Sequence, residues 1–236
     1  MAIVKEERIG DCRLILGDCL HVMPLLGNVD AVVTDPPYGI GVDRTMAAQS
    51  GTQYGNAAAA KRIYKETNWD MSPIGEDHIG AITGISEHQI IFGGNYFALP
   101  PARCWLVWDK QNGGNEFADC ELAWTNFNKP VRKIEWLWNG MLRKGRESRN
   151  AHPTQKPLGV MEWCLGFLPN AQTILDPFMG SGTTLVACAK TGRKGIGIEL
   201  DPDYFQIACE RVQKAYDQPD LFVEQPKPHK QDAMDL

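Results

Sequence analysis

Thr173-Ile174-Leu175-Asp176-Pro177-Phe178-Met179-Gly180-Ser181-Gly182-Thr183 runs from an apolar segment into an acid and then a glycine turn. Residues 173–175 read as a strand, 180–182 as a turn, and 183–190 as a helix stopped by Gly192, since glycine readily closes a helix. Gly195-Ile196-Gly197-Ile198-Glu199 reads as the next strand. Downstream, Asp201 is placed to cap a last helix with Pro202 in its first position. Its expected apolar face holds Tyr204, Ile207, Ala208 and Val212. Upstream, Leu158, Met161, Cys164, Leu165 and Leu168 fall at helical spacing behind Pro157. Apolar runs at 13–16, 30–34, 89–92 and 104–108 read as strands, and 19–26 as a helix. Ile134, Trp136 and Trp138 alternate as a strand over 134–138 would require. The alternation predicts an α/β protein with a Rossmann-like, doubly wound sheet.

Such sheets bind ligands at the carboxyl ends of their strands. Asp18, Asp35, Asp176 and Glu199 each follow or end a strand there, and four converging acids point to a site. The glycine turn lets a ligand approach the backbone. It carries an acid and no lysine, so it suits an ammonium and a sulfonium better than a pyrophosphate. The helix start near Thr183 can receive a carboxylate, and Glu199 can hold both hydroxyls of a ribose. S-adenosylmethionine has all of these groups. A nicotinamide dinucleotide or a plain tight turn competes for the Gly-x-Gly feature taken alone.

Asp35-Pro36-Pro37-Tyr38 follows the strand at 30–34. Two prolines stiffen the corner and remove two amide donors. Acceptors remain beside an aromatic ring, which suits an aryl amine whose base stacks on Tyr38, a contact worth roughly 1–3 kcal/mol. The competing reading is a rigid exposed turn.

Gly17-Asp18-Cys19, Asp35-Pro36-Pro37-Tyr38, His152-Pro153-Thr154-Gln155-Lys156-Pro157, Asp176 to Thr183 and Gly197-Ile198-Glu199-Leu200-Asp201 together resemble the motif set of amino-group DNA methyltransferases. With the catalytic motif ahead of the cofactor motif, the order is similar to the β class. The resemblance spans about residues 11 to 213 and is weak between Gly41 and Gly145. It implies a seven-stranded sheet with one antiparallel strand and S-adenosylmethionine as cofactor. It implies that Asp35 and the Pro36 carbonyl hold the target amine, in a corner completed by Pro37, and that Tyr38 stacks on the flipped base. Asp176, Phe178, Gly180, Ser181, Gly182 and Thr183 would surround the methionine part, with Asp35 close by. Thr154, Gln155 and Lys156 would support its carboxylate, and Glu199 its ribose. Asp18 would accept from the adenine, with Cys19 and Leu200 near the ring. Read from the residues alone, residues 152–157 are equally the start of a helix, and Asp18 equally a helix cap. The implied reaction is N6 methylation of adenine in DNA. Asp as the first catalytic residue favours adenine over the cytosine amine by resemblance only. A base inside a duplex must be flipped out to reach a buried donor.

The chain has 236 residues and a net charge of −5. The length suits one methyltransferase domain over 1–217 with a flexible tail at 218–236. Within it, 41–72 reads as a mobile loop and 110–151 as an inserted DNA-recognition region. Between Lys129 and Arg149 seven basic residues face two acidic ones, a local charge of +5. Phosphate binding depends on such a local field rather than on the total. Lys61, Arg62, Lys65, Lys129, Arg132, Arg143, Lys144 and Arg146 are the expected DNA contacts, against the plainer reading of a solvated charge run. Trp124, Trp136 and Trp138 read as core rather than base platforms.

Cys12, Cys19, Cys104, Cys120, Cys164, Cys188 and Cys209 are dispersed, without a Cys-x-x-Cys pair. Buried reduced thiols and no metal site are expected. No leader or membrane span is read, so the expected location is the cytoplasm. Double-stranded DNA is the expected partner, with a homodimer as a further candidate and no membrane contact. Gln218-Pro219-Asp220-Leu221-Phe222 resembles a sliding-clamp docking peptide, Gln218, Leu221 and Phe222 being its anchors. The plainer reading packs Leu221 and Phe222 onto the domain. A cytosine-N4 or RNA methyltransferase, a non-catalytic nucleic-acid-binding relative and a nicotinamide dehydrogenase are the alternatives.

Overall fold

A computed structural model of the chain describes residues 2–41, 70, 72–112, 118–138 and 155–218. Its strands are β1 (Ile3–Ile9), β2 (Cys12–Gly17), β3 (Val29–Thr34), β4 (Ser86–Phe92), β5 (Trp105–Asp109), β6 (Cys120–Thr125), β7 (Arg132–Glu135), β8 (Thr173–Asp176) and β9 (Lys194–Glu199). Its helices are α1 (Cys19–Val22), α2 (Glu76–Gly84), α3 (Leu158–Leu165), α4 (Thr183–Lys190) and α5 (Pro202–Asp217).

All the strands lie in one sheet, ordered β1-β2-β9-β8-β3-β4-β6-β5-β7. From β2 to β4 neighbouring strands run parallel. β6 alone opposes both its neighbours, β4 and β5. The seven strands from β2 to β5 are thus the expected sheet with one reversed member. Two edge strands extend it to nine: β1, antiparallel to β2, and β7, parallel to β5. β1 reads Ile-Val-Lys-Glu-Glu-Arg-Ile and is half-buried to exposed, as an edge strand tolerates. That is why no apolar run marked it.

The sheet buries both faces, because successive side chains on a strand point to opposite sides. Leu14, Ala31, Val33, Ile90 and Ile174 pack under α3, α4 and α5 with Met161, Leu185 and Phe205. Their neighbours Ile15, Val32, Ile91 and Leu175 face the other way, with Val22 of α1 and Ile82 of α2. Continuous apolar runs are the signature of strands covered on both sides.

Several local expectations shift. The helix expected over 19–26 is one turn of α1 followed by a 3-10 turn, Met23–Leu25, because Pro24 cannot donate to the turn before it. The strand expected over 134–138 begins and ends earlier, as β7. The Trp136 carbonyl leaves the ladder to accept from Trp108 Nε1 at 2.9 Å. The Trp136 ring lies where a Cβ on Gly159 would be, so it packs on α3. Trp124 is buried and Trp138 is half-buried against the core, as expected of core aromatics. α5 is turned about one residue from expectation. Phe205, Ala208, Cys209 and Val212 are buried, while Tyr204 and Ile207 are half-exposed. β6 and β7 fall within 110–151, so the sheet itself uses part of the stretch read as an insertion. α2 was not foreseen, its apolar face being thinned by Gly80 and Gly84.

All seven cysteines are free and only Cys120 is exposed. Among the described residues no group of three or more metal-ligating side chains forms, and no helix is long and apolar enough to cross a membrane.

Candidate active site at the carboxyl edge of the sheet

From β3 the chain proceeds outward to β4, and from β8 it proceeds the other way to β9. The sheet therefore changes winding direction between β3 and β8, and a crevice opens there. Asp35 directly follows β3, and Asp176 ends β8. Thr34 Oγ1 donates to Asp176 Oδ1 at 2.7 Å, so the proline corner and the glycine turn are joined one residue from Asp35.

On the glycine side, Asp176 is buried and held by neutral donors. Thr184 Oγ1 donates to Oδ2 at 2.6 Å and the Phe178 amide to Oδ1 at 3.1 Å. Burial pushes its carboxyl up to about 6, against the pull of those hydrogen bonds. Gly180 and Gly182 have φ of 50° and 76°, left-handed values that glycine adopts without strain. Glu199 closes over this turn. Gly180 N donates to Oε2 at 2.9 Å, while Leu200 N and Asp201 N donate to Oε1 at 2.9 and 2.8 Å. Burial raises Glu199 to about 7 despite these three amides. Arg211, which sequence reasoning missed, reaches from α5 to the Ser181 carbonyl (2.5 Å), Ser181 Oγ (2.8 Å) and Thr183 Oγ1 (3.0 Å). It thus braces the turn at the start of α4.

Asp18 accepts from Leu20 N at 2.9 Å and caps α1. The plain reading of Asp18 as a cap is therefore satisfied at the same place as the adenine reading. Cys19 is buried, and burial raises its thiol to about 12. Leu200, between the site acid Glu199 and the helix cap Asp201, is 71% exposed. Phe178 sits beside His78 of α2, ring centroids 5.9 Å apart.

The proline corner is built differently. Tyr38 Oη donates to Asp35 Oδ1 at 2.5 Å. Asp35 Oδ2 pairs with the Lys156 ammonium. The Tyr38 ring stacks on Tyr96, 5.1 Å between centroids and 15° between planes, and meets Phe97 edge-on. Gly93, with φ 67°, passes so close that a Cβ there would sit inside the Tyr38 ring. Burial is the main cause that raises Asp35, Glu121 adds to it, and Lys156 opposes it. Burial also keeps the Tyr38 hydroxyl protonated well above its usual range, with Asp35 and Glu121 reinforcing it. Lys156 lies over the rings of Phe92 and Tyr38, 5.4 and 5.6 Å from their centroids. It pairs also with Glu121 Oε2 at 3.0 Å.

Asp35, Tyr38, Gln155, Lys156, Asp176, Phe178, Gly180–Gly182, Thr183 and Glu199 are therefore brought to one edge. Within the expected triplet 154–156, Gln155 is buried, Lys156 turns to the two carboxylates, and Thr154 lies outside the described residues. Lys129 and Arg132 are not at this edge. Arg132 opposes Leu106 near the amino end of β5, whereas Glu135 opposes Asp109 at its carboxyl end. Lys129 lies over Phe127 and Phe167. Lys61, Arg62, Lys65, Arg143, Lys144, Arg146, Leu221 and Phe222 lie outside the described residues, as do most of 41–72 and nearly all of the tail. Gly93, Tyr96 and Glu121 were missed. Gly93-Gly94 directly after an apolar strand was the one signal available.

A family model described as DNA methylase, N6_N4_Mtase, matches residues 108–210. The Type II methyltransferase M2.LlaDCHI of Lactococcus lactis subsp. cremoris is 41% identical over 113 residues, 46% of this chain. The match spans 41% of that protein's length. The Type II methyltransferase M.HpaI of Haemophilus parainfluenzae is 26% identical over 251 residues, 87% of this chain and 76% of that one. The crystal structure of an M1.HpyAVI-SAM complex superposes with a TM-score of 0.53 at 24% identity, over 85% of this chain and 99% of that one. That last likeness is one of fold.

Proposed function

We propose, from the likeness to amino-group DNA methyltransferases over residues 108–210 and to the two Type II methyltransferases, that this chain methylates the exocyclic amine of adenine in DNA, with S-adenosylmethionine as donor. The observation that carries the reading is the junction at the switch point. An acceptor-rich corner and a buried acid on a glycine turn are joined through Thr34 and Asp176.

The residues present fit the cofactor. Asp176 is buried, raised by that burial to about 6, and held by neutral donors without a countercharge, a position that favours an added ammonium. Glu199 is pinned by three amides and keeps acceptor capacity for ribose hydroxyls. Asp18, Cys19, Phe178 and Leu200 would flank the adenine. The start of α4 at Thr183, with Thr154 and Gln155, would take the carboxylate, Lys156 being turned to Asp35 and Glu121. S-adenosylmethionine, when bound, supplies a methyl group already activated on a sulfonium.

The chain's own residues then do positioning. Asp35 Oδ1 accepts an N–H of the target amine in place of the Tyr38 hydroxyl. The Pro36 carbonyl accepts the second N–H, and Pro37 fixes the corner. Tyr38, freed of its hydrogen bond, stacks on the flipped base with Tyr96 behind it. As the amine nitrogen gains the methyl and positive charge, the Asp35 carboxylate stabilises that charge. The surplus proton leaves the nitrogen towards Asp35. Double-stranded DNA would meet Lys61, Arg62, Lys65, Arg143, Lys144 and Arg146, and not Lys129 or Arg132, which lie away from this edge.

Adenine rests on Asp35 opening its motif. The family model spans N6 and N4 amines alike, so the cytosine amine is the second reading. Incubating duplex DNA with methyl-labelled S-adenosylmethionine and analysing the nucleosides tests both. Labelled N6-methyladenine is expected. Labelled N4-methylcytosine would replace adenine by cytosine, and no transfer by the intact chain would overturn the function.

A further inference from the structure

Four charged side chains from four places in the fold form a single file beside the proline corner. Asp35 follows β3, Lys156 precedes α3, Glu121 lies in β6, and Lys110 follows β5. Lys156 Nζ contacts Asp35 Oδ2 and, at 3.0 Å, Glu121 Oε2. Lys110 Nζ contacts Glu121 Oε1 at 2.6 Å. Lys156 is 8% exposed, Asp35 22%, and Glu121 and Lys110 18% each. Two ammoniums and two carboxylates cancel, which lets the group sit largely out of water. β6 runs against its neighbours, and for that reason its first residues reach the carboxyl edge, with Glu121 opposite Trp108. Only Asp35 and Lys156 of this file carry an expected role.

We propose that Glu121 is a positioning residue for methyl transfer: it divides the Lys156 ammonium between two carboxylates, so that Asp35 stays anchored through Oδ2 while remaining a strong acceptor through Oδ1. This rests on the function proposed above. A lysine paired with Asp35 alone would place its whole charge on that carboxylate and weaken it as an acceptor for an amine. Glu121 draws part of that charge away, and Lys110 keeps Glu121 itself ionised. The electrostatics agree in direction. Burial opposes ionisation of Glu121, yet Lys156 and Lys110 together hold it below the usual carboxylate range. Burial pulls Lys156 down, yet the two carboxylates hold it above its ordinary value. Among the described residues the groups acting on Asp35 are Lys156, Glu121 and Tyr38, and the Asp35 charge in turn acts on Asp176.

Glu121→Gln removes a negative charge near Asp35 and leaves Lys156 to it. The Asp35 carboxyl then titrates at lower pH, by about one unit, and the acid limb of kcat moves the same way. Turnover falls on the order of 10- to 100-fold, while calorimetric binding of S-adenosylmethionine stays within a few-fold. Glu121→Asp restores the charge and returns the limb. Lys110→Gln has the opposite sign: Glu121 leans wholly on Lys156, and Asp35 titrates at higher pH. Carbon-13 carboxyl titration of the cofactor-free protein reads Asp35 without any transfer. Opposite shifts in Glu121→Gln and Lys110→Gln support the assignment. An Asp35 titration unmoved in both, or moved the same way in both, overturns it, and so does a Glu121→Gln enzyme that keeps the parent kcat. If Glu121→Gln does not fold, the sign of the shift in Lys110→Gln decides alone. An intact chain that transfers no methyl sinks the function instead, and leaves the carboxyl titration still readable.

Discussion

Two aspartates end or follow adjacent parallel strands, β8 and β3, and their surroundings differ. Asp176 is wrapped by two hydroxyls and an amide, all neutral. Asp35 is tied to an ammonium on one oxygen and a phenol on the other. Burial raises both carboxyls, but only Asp35 has its countercharge built into the chain. The contrast divides the labour. Asp176 gains most from a cation that arrives with a ligand. Asp35 already has a cation, and one of its partners, the Tyr38 hydroxyl, can be exchanged for a neutral donor of similar shape, such as an aryl amine.

The sharpest way to break this contrast is Asp35→Ala. Methyl transfer should fall at least about 10²- to 10³-fold, with cofactor affinity nearly unchanged by calorimetry. Equal losses in both would mean that the two corners are one site without division. Asp176→Asn should do the reverse, weakening cofactor binding by roughly 10- to 100-fold, the worth of a charged hydrogen bond. Turnover at saturating cofactor should suffer less. Gly93→Ala should push the Tyr38 ring aside. It should raise the KM for DNA about tenfold, near the lower range of a lost stacking contact, with cofactor binding intact. A KM left at the parent value would remove the Tyr38 ring from base docking.

The smallest effect is in pH. Asp176 and Glu199 have folded values of about 6 and about 7, against roughly 4 in an unfolded chain. A carboxyl raised on folding contributes stability that is complete below the unfolded value and lost as pH rises through the folded one. The Tm of the cofactor-free protein should therefore drop by a few degrees between about pH 5 and 7.5. Cofactor donors favour the ionised carboxylates, so affinity should strengthen over the same window and binding should release protons. A flat Tm and a flat affinity across that window would mean that both acids are ionised throughout it.

Much of the molecule was legible because its signals are local. The strands β2, β3, β8 and β9 carry apolar runs, and each places its acid by simple succession. Residues 183–190 were read as a helix, and α4 has those bounds, because Gly182 and Gly192 punctuate it. The Asp201 cap and Pro202 start of α5 were legible for the same reason. The rotation of α5 was not, since Phe205 and Tyr204 are both apolar enough to face inward and only packing against α4 and β2 chooses between them. β1 and β6 lacked a continuous apolar run because charged residues sit within them. Glu121 drew no reading, and Lys156 was read as a ligand for the cofactor's carboxylate, since nothing in their spacing says that a reversed strand brings one to the other.

The order of residues alone determined that this chain forms a wound parallel sheet with acids at its carboxyl edge. Local preference and burial period are properties of neighbours in the chain. Only the tertiary structure decided which charges meet. Asp35, Glu121 and Lys156 are far apart in sequence, and their pairing depends on strand order, on the reversal of β6, and on the cost of leaving any one of them buried without an opposite charge.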